Sequence, residues 1–70
     1  MPVPRIQDAA ALLEQGNPAA AIPLLERLTR LFPTYATAHV LLAEAYEAEG
    51  ATDRATRAWH TAYFLVPGSP

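Results

Sequence analysis

Residues 36–67 read ATAHVLLAEAYEAEGATDRATRAWHTAYFLVP, and this stretch decides the fold. His39, Leu42, Ala43 and Tyr46 recur at three- and four-residue spacing, the period of one helix face. Gly50 interrupts them, because glycine takes the left-handed backbone conformation that ends a helix without a Cβ clash. Ala55, Ala58, Trp59, Ala62, Tyr63 and Leu65 restore a helical spacing that Pro67 stops. The reading is helix, tight turn, helix, stop. Shifted back by 34 residues, the stretch overlies a fainter copy of itself: Ala9, Ala11, Gly16, Ala21, Leu31 and Pro33 are identical to Ala43, Ala45, Gly50, Ala55, Leu65 and Pro67. The identities fall at the turn, the stop and the small-residue positions. A period in the range of roughly 20–50 residues with helix-turn-helix content marks a helical repeat.

Outward from that stretch, the first helix is predicted from about Arg5 to Gln15, with Ile6, Ala9, Ala10, Leu12 and Leu13 as its apolar stripe. Gly16 ends it. Asn17 is a strong N-cap and Pro18 suits the first helical position, whose N–H has no partner in any case. The second helix runs to about Leu31 and turns Ala21, Ile22, Leu24, Leu25, Leu28 and Leu31 into its apolar set. Pro23 lies inside it and removes one backbone hydrogen bond, so a bend on the outer side is expected. Thr34 is the expected cap of the third helix, roughly Tyr35 to Glu49, and Thr52 or Asp53 starts the fourth. Pro67-Gly68-Ser69-Pro70 reads as a stop and then a tail or linker. The organisation is one domain over residues 1–70, with repeats at about 2–35 and 36–69.

The totals exclude several function classes. The chain has 70 residues, 51% hydrophobic and 17% charged, which is the composition of one small globular domain. It has no cysteine, so neither a disulfide nor a thiolate metal site can brace it. All five positive residues are arginines, dispersed among seven carboxylates for a net charge of −2. A nucleic-acid stripe needs clustered positive excess, so no nucleic-acid partner is expected. No apolar run approaches the ~20 residues of a membrane span, and Met1–Arg5 lacks a basic segment leading into an apolar one. A cytoplasmic location without membrane contact is the expectation.

The second unit resembles the tetratricopeptide repeat, whose pattern is W-x2-L-G-x2-Y, then A-x3-F, then A and P. His39 stands at the Trp position, Leu42 matches, Ala43 replaces the small Gly and Tyr46 matches. Ala55, Ala62 and Pro67 match, and Trp59 supplies the aromatic. The first unit is fainter: Arg5, Asp8, Ala9 and Leu12 hold the first-helix positions, and Ala21, Leu25, Leu28 and Pro33 the second-helix ones. The resemblance spans about residues 4–67. It implies an all-α fold of two helix-turn-helix repeats, four antiparallel helices stacked as a short right-handed solenoid. Polar Arg5 and Asp8 fit the atypical outer side of a terminal repeat.

The resemblance also implies a peptide- or protein-binding concave surface made by the first helix of each repeat. The matching positions include Val3, Ile6, Ala10, Leu13 and Glu14 in the first unit, and Thr37, Val40, Glu44, Glu47 and Ala48 in the second. Of these, Ile6, Ala10, Leu13, Thr37, Val40, Glu44 and Glu47 are the candidate partner-binding residues. The Lys, Arg and Asn that hold a terminal carboxylate in chaperone-tail-binding relatives are missing here, so an apolar or basic segment is the expected ligand. Trp59, Tyr63 and Phe64 are the candidate self-association residues, with Trp59 expected in the core and Phe64 exposed. His39 and His60 lie on different helices without a partner at ligand spacing, and no nucleophile constellation or phosphate-cradling glycine loop is present. No catalysis, metal or cofactor is expected.

Two repeats leave both ends of the stack open, and such modules ordinarily need about three repeats or a cap. The expected function is a protein-interaction module that self-associates as a homodimer. The alternatives are a monomeric adaptor domain of a larger protein docked on its neighbour, and an accessory fragment of an enzyme. Ala43, Ala55 and Ala62 are expected to let the last two helices approach closely while Tyr46 and Trp59 fill the space beside them. Ala55→Leu is then expected to overpack the pair and to lower stability by ~1–3 kcal/mol, measured as a lower urea midpoint at unchanged slope.

Overall fold

Backbone hydrogen bonds gather the chain into four helices: α1 (Ile6–Glu14), α2 (Pro18–Leu31), α3 (Ala36–Ala48) and α4 (Thr52–Leu65). The computed structural model describes residues 3–66, and no strand occurs among them. The expected stop at Pro67 and the tail 67–70 lie outside the described residues.

The two hairpin turns are built alike. At the end of α1 the Gly16 N–H donates to the Leu13 carbonyl at 3.0 Å, and the Asn17 N–H to the Leu12 carbonyl at 2.8 Å. At the end of α3 the Gly50 N–H donates to Glu47 at 3.0 Å, and the Ala51 N–H to Tyr46 at 2.8 Å. This pair of bonds is the Schellman closure, which satisfies carbonyls left over at a helix end and requires a left-handed residue. Gly16 and Gly50 supply it, both at φ +76°. The residue that follows each glycine begins the next helix: the Asn17 carbonyl accepts from Ala21 at 3.4 Å and the Ala51 carbonyl from Ala55 at 2.9 Å.

The caps differ from expectation in detail. Asn17 occupies the cap position, yet its side chain makes no cap hydrogen bond. The third helix is capped at Tyr35, not Thr34, whereas the fourth starts at Thr52 as expected, with Ala51 at its cap position, and neither cap acts through a side chain. α2 runs unbroken through Pro23, which is solvent-exposed. Its missing N–H costs a backbone bond at the surface and disturbs no buried contact.

Packing follows from residue size. Of the twelve buried hydrophobic residues, eight are alanine: Ala9, Ala21, Ala38, Ala43, Ala45, Ala55, Ala58 and Ala62. The others are Leu25, Leu28, Leu42 and Tyr46. Helices that meet through methyl groups approach closely, so the core is thin, and the molecule measures 31 × 28 × 18 Å. Each helix packs on the next in sequence, α1 also touches α3, and α2 and α4 do not meet. Helix α3 is thus the one element in contact with all the others. That position explains its buried residues Ala38 and Ala45, which lie off the expected stripe of His39, Leu42, Ala43 and Tyr46. His39 itself is only half-buried, and Leu31, expected to face inward, is exposed.

A Cβ built on Gly50 meets no atom within 4 Å, so only the backbone conformation resists substitution there. Gly50→Ala is expected to cost about 1–2 kcal/mol of unfolding free energy. D-alanine introduced at the same position by chemical synthesis should restore or exceed the wild-type midpoint, because its preferred φ is positive. Equal midpoints for the L- and D-alanine chains would contradict this account of the turn.

Candidate functional site

An apolar hollow opens between α3 and α4, lined by Val40, Trp59, Ala62, Tyr63 and Val66. Its volume is about 170 Å³, and little of its lining is polar. The spacing of Trp59, Ala62, Tyr63 and Val66 places them on one side of the last turns of α4, and α3 adds Val40 across the joint. Tyr63, in the wall of the hollow, is 74% exposed, and Phe64, next to it in sequence but outside the lining, is 85% exposed. Trp59 is a correction to the sequence reading. It packs against the core but stays only partly buried, since among the described residues α4 packs on α3 alone.

The sequence-predicted concave residues divide by exposure. Ile6 and Leu13 are half-buried and pack against the core, which leaves only part of each for a ligand. Ala10 and Val40 are also half-buried, whereas Thr37, Glu44 and Glu47 are exposed. Val40 belongs to the apolar hollow, so it joins the concave candidates to Trp59 and Tyr63, which the sequence reading had placed on a separate face. Val3 is exposed and lies in a shallow notch with Pro4, Arg5, Asp8, Leu24 and Arg27. Arg5 and Asp8 approach to 3.8 Å there across one helical turn.

A polar contact between the hairpins escaped the sequence reading. The Tyr46 hydroxyl on α3 donates to the Glu26 Oε2 on α2 at 2.6 Å. Tyr46 is buried, and Glu26 is half-buried. Burial, the hydrogen bond to Glu26 and the negative charge of Glu26 push the Tyr46 hydroxyl up from 10.0 to about 12, with the Arg54 charge opposing them. Twenty residues separate donor and acceptor, so helical periodicity carries no sign of the pair. A tyrosine on an inward stripe opposite a carboxylate-bearing neighbour is the only hint that composition offers.

His39 turns its Nε2 to the Pro33 carbonyl at 3.0 Å, joining the start of α3 to the loop before it. A carbonyl only accepts, so Nε2 is the protonated nitrogen. His60 is exposed. Among the described residues no group of three or more His, Cys, Asp or Glu side chains is placed to hold a metal ion. None of their helices is long and apolar enough to cross a membrane.

Paired antiparallel helices, glycine-closed turns and alanine-packed joints define a helical-repeat protein. A family model described as tetratricopeptide repeat matches residues 12–59. The chain belongs to the tetratricopeptide repeat family, and its two hairpins are two such units. Comparison with curated proteins and with solved structures gave no match.

The Tyr46–Glu26 contact makes two linked expectations. Tyr46→Phe leaves a half-buried carboxylate without its donor and should cost about 1–3 kcal/mol. The folded chain also holds the Tyr46 proton between pH 10 and about 12, where the unfolded chain has released it. Stability should therefore be complete below that window and fall as pH rises through it. Urea unfolding across the alkaline range checks both, with the Tyr46→Phe chain showing a shallower alkaline loss.

Proposed function

We propose that the chain is a protein-interaction module that self-associates as a homodimer through the apolar end of α4. The observation that carries this reading is the pair of exposed aromatics at the end of α4, Tyr63 in the wall of the hollow with Val40, Trp59, Ala62 and Val66, and Phe64 next to it in sequence. Apolar surface of this kind gains free energy when water leaves it, at about 25 cal/mol per Å². Tetratricopeptide units stack through their helix faces, and a second copy laid on α4 would stand where a further unit belongs. A two-fold arrangement is the simplest, because it closes with one kind of contact. Within each protomer we take the hairpins to follow one another in a right-handed sense.

The concave surface serves a peptide or protein partner in this proposal, through Ile6, Ala10, Leu13, Thr37, Val40, Glu44 and Glu47, with Val40 at the border it shares with the α4 hollow. Exposed Glu44 and Glu47 favour a segment with basic residues, and the uncovered parts of Leu13 and Val40 favour one with apolar residues. The alternative, a monomeric adaptor domain docked on a neighbouring domain of a larger protein, would use the same α4 surface.

Light scattering over a concentration series decides between them. The homodimer reading expects twice the chain mass at high concentration, and Phe64→Glu should weaken association at least tenfold while leaving helicity intact. A fully helical monomer at every concentration would overturn self-association and favour the adaptor.

A further inference from the structure

Helices α2 and α4 both pack on α3 without meeting each other, so a trough remains between them on the side of α3 away from Glu44 and Glu47. Its floor is α3, through His39, Leu42 and Tyr46. Its walls are Glu26 and Thr29 on α2, and Arg54, Arg57 and Thr61 on α4. The hollow measures about 410 Å³, and an adjoining one that shares Glu26, Thr29, Leu42 and Tyr46 adds Arg30.

We infer that this trough is a second binding surface, distinct from the apolar end of α4, and that it takes an acidic peptide segment. Charge is the first argument. Three arginines line the trough against one carboxylate, in a chain whose net charge is −2. Among the described residues Arg30, Arg54 and Arg57 form no ion pair, and each is exposed. That carboxylate, Glu26, accepts the Tyr46 hydroxyl on Oε2 within the trough and keeps its negative charge, so the arginines outnumber it three to one. Guanidinium groups present forked donors that match carboxylate geometry.

The pattern of acceptors is the second argument, and it selects a peptide. The Thr29 hydroxyl donates to the Glu26 carbonyl at 3.0 Å, and the Thr61 hydroxyl to the Arg57 carbonyl at 3.1 Å. Both hydroxyls have spent their one proton and keep only acceptor capacity toward the trough. A neutral His39 with its proton on Nε2 is likewise an acceptor at Nδ1. Arginine donors and hydroxyl and imidazole acceptors therefore line the same trough. An acidic peptide supplies both halves, carboxylates for the arginines and backbone N–H groups for the acceptors. A phosphate backbone supplies acceptors alone, which leaves the threonines and His39 without partners.

The test is fluorescence anisotropy with a labelled peptide of alternating glutamate and glycine, titrated with the chain and with its Tyr63→Glu variant, whose new charge lies on the hollow side of α4. The matching glutamine–glycine peptide and an oligothymidylate of equal charge are the comparisons. Saturable binding of the glutamate peptide is expected in both chains, so that loss of self-association and loss of the trough are read separately. Arg54→Gln and Arg57→Gln should each weaken it about three- to tenfold, as loss of a charge-assisted contact does. Glu26→Gln should strengthen it by removing a like charge, and Arg5→Gln, at the far end of the chain, should leave it unchanged. Circular dichroism confirms that each variant is folded, and Arg57→Gln decides if Arg54→Gln is not. No saturable binding, equal binding of the glutamine peptide, tighter binding of the oligothymidylate, or indifference to Arg57→Gln would each overturn the inference.

Discussion

Close approach of helices through alanine governs this structure. A methyl group is the smallest side chain that still excludes water from a helix joint, and eight of the twelve buried positions carry one. The helices can then lie near one another, and α3 can touch three neighbours at once. The same choice limits stability. Among the buried residues only Leu25 combines a large side chain with complete burial, so each joint removes little apolar area from water. A chain of 70 residues already buries a smaller share of its surface than a larger domain does. The fold is specified by shape at its joints.

The polar contact between the hairpins belongs to the same logic. With small residues at the joint, alignment of α2 against α3 is set by few large groups. Tyr46 crosses the joint to Glu26 and adds one charge-assisted bond to that alignment. Packing of α4 on the other flank of α3 then opens the trough on one side and leaves the apolar hollow on the other. Two surfaces of opposite chemistry thus arise from one central helix, a basic and acceptor-lined trough and an apolar edge with exposed aromatics.

The helices and their turns were legible in the sequence because local rules decide them. Gly16 and Gly50 mark backbone positions that other residues enter at a cost, and the offset of 34 residues between them exposes the repeat. Leu25, Leu28, Leu42, Ala55 and Ala62 were legible as core from spacing alone. Ala38 and Ala45 were not, because α3 is buried on several sides and a single-stripe reading fails for such a helix. The exposure of Trp59 depends on what lies beyond α4, which no local pattern carries. Capping side chains misled at Asn17 and Thr34, since the backbone carbonyls of Asn17 and Tyr35 accept the first bonds of α2 and α3 and neither cap side chain takes part. The Tyr46–Glu26 contact and the trough depend on how hairpins meet, and spacing within one helix says nothing of that.

The central claim is that the open edge of α4 is completed by a second copy. Amide hydrogen exchange at high and at low protein concentration addresses it directly, because exchange reads local opening along each helix. The account predicts that the amides from Ala58 to Leu65 are protected at high concentration and lose protection on dilution, before those of α3 do. Protection in α4 that does not change with concentration would contradict it and leave that edge complete in the single chain.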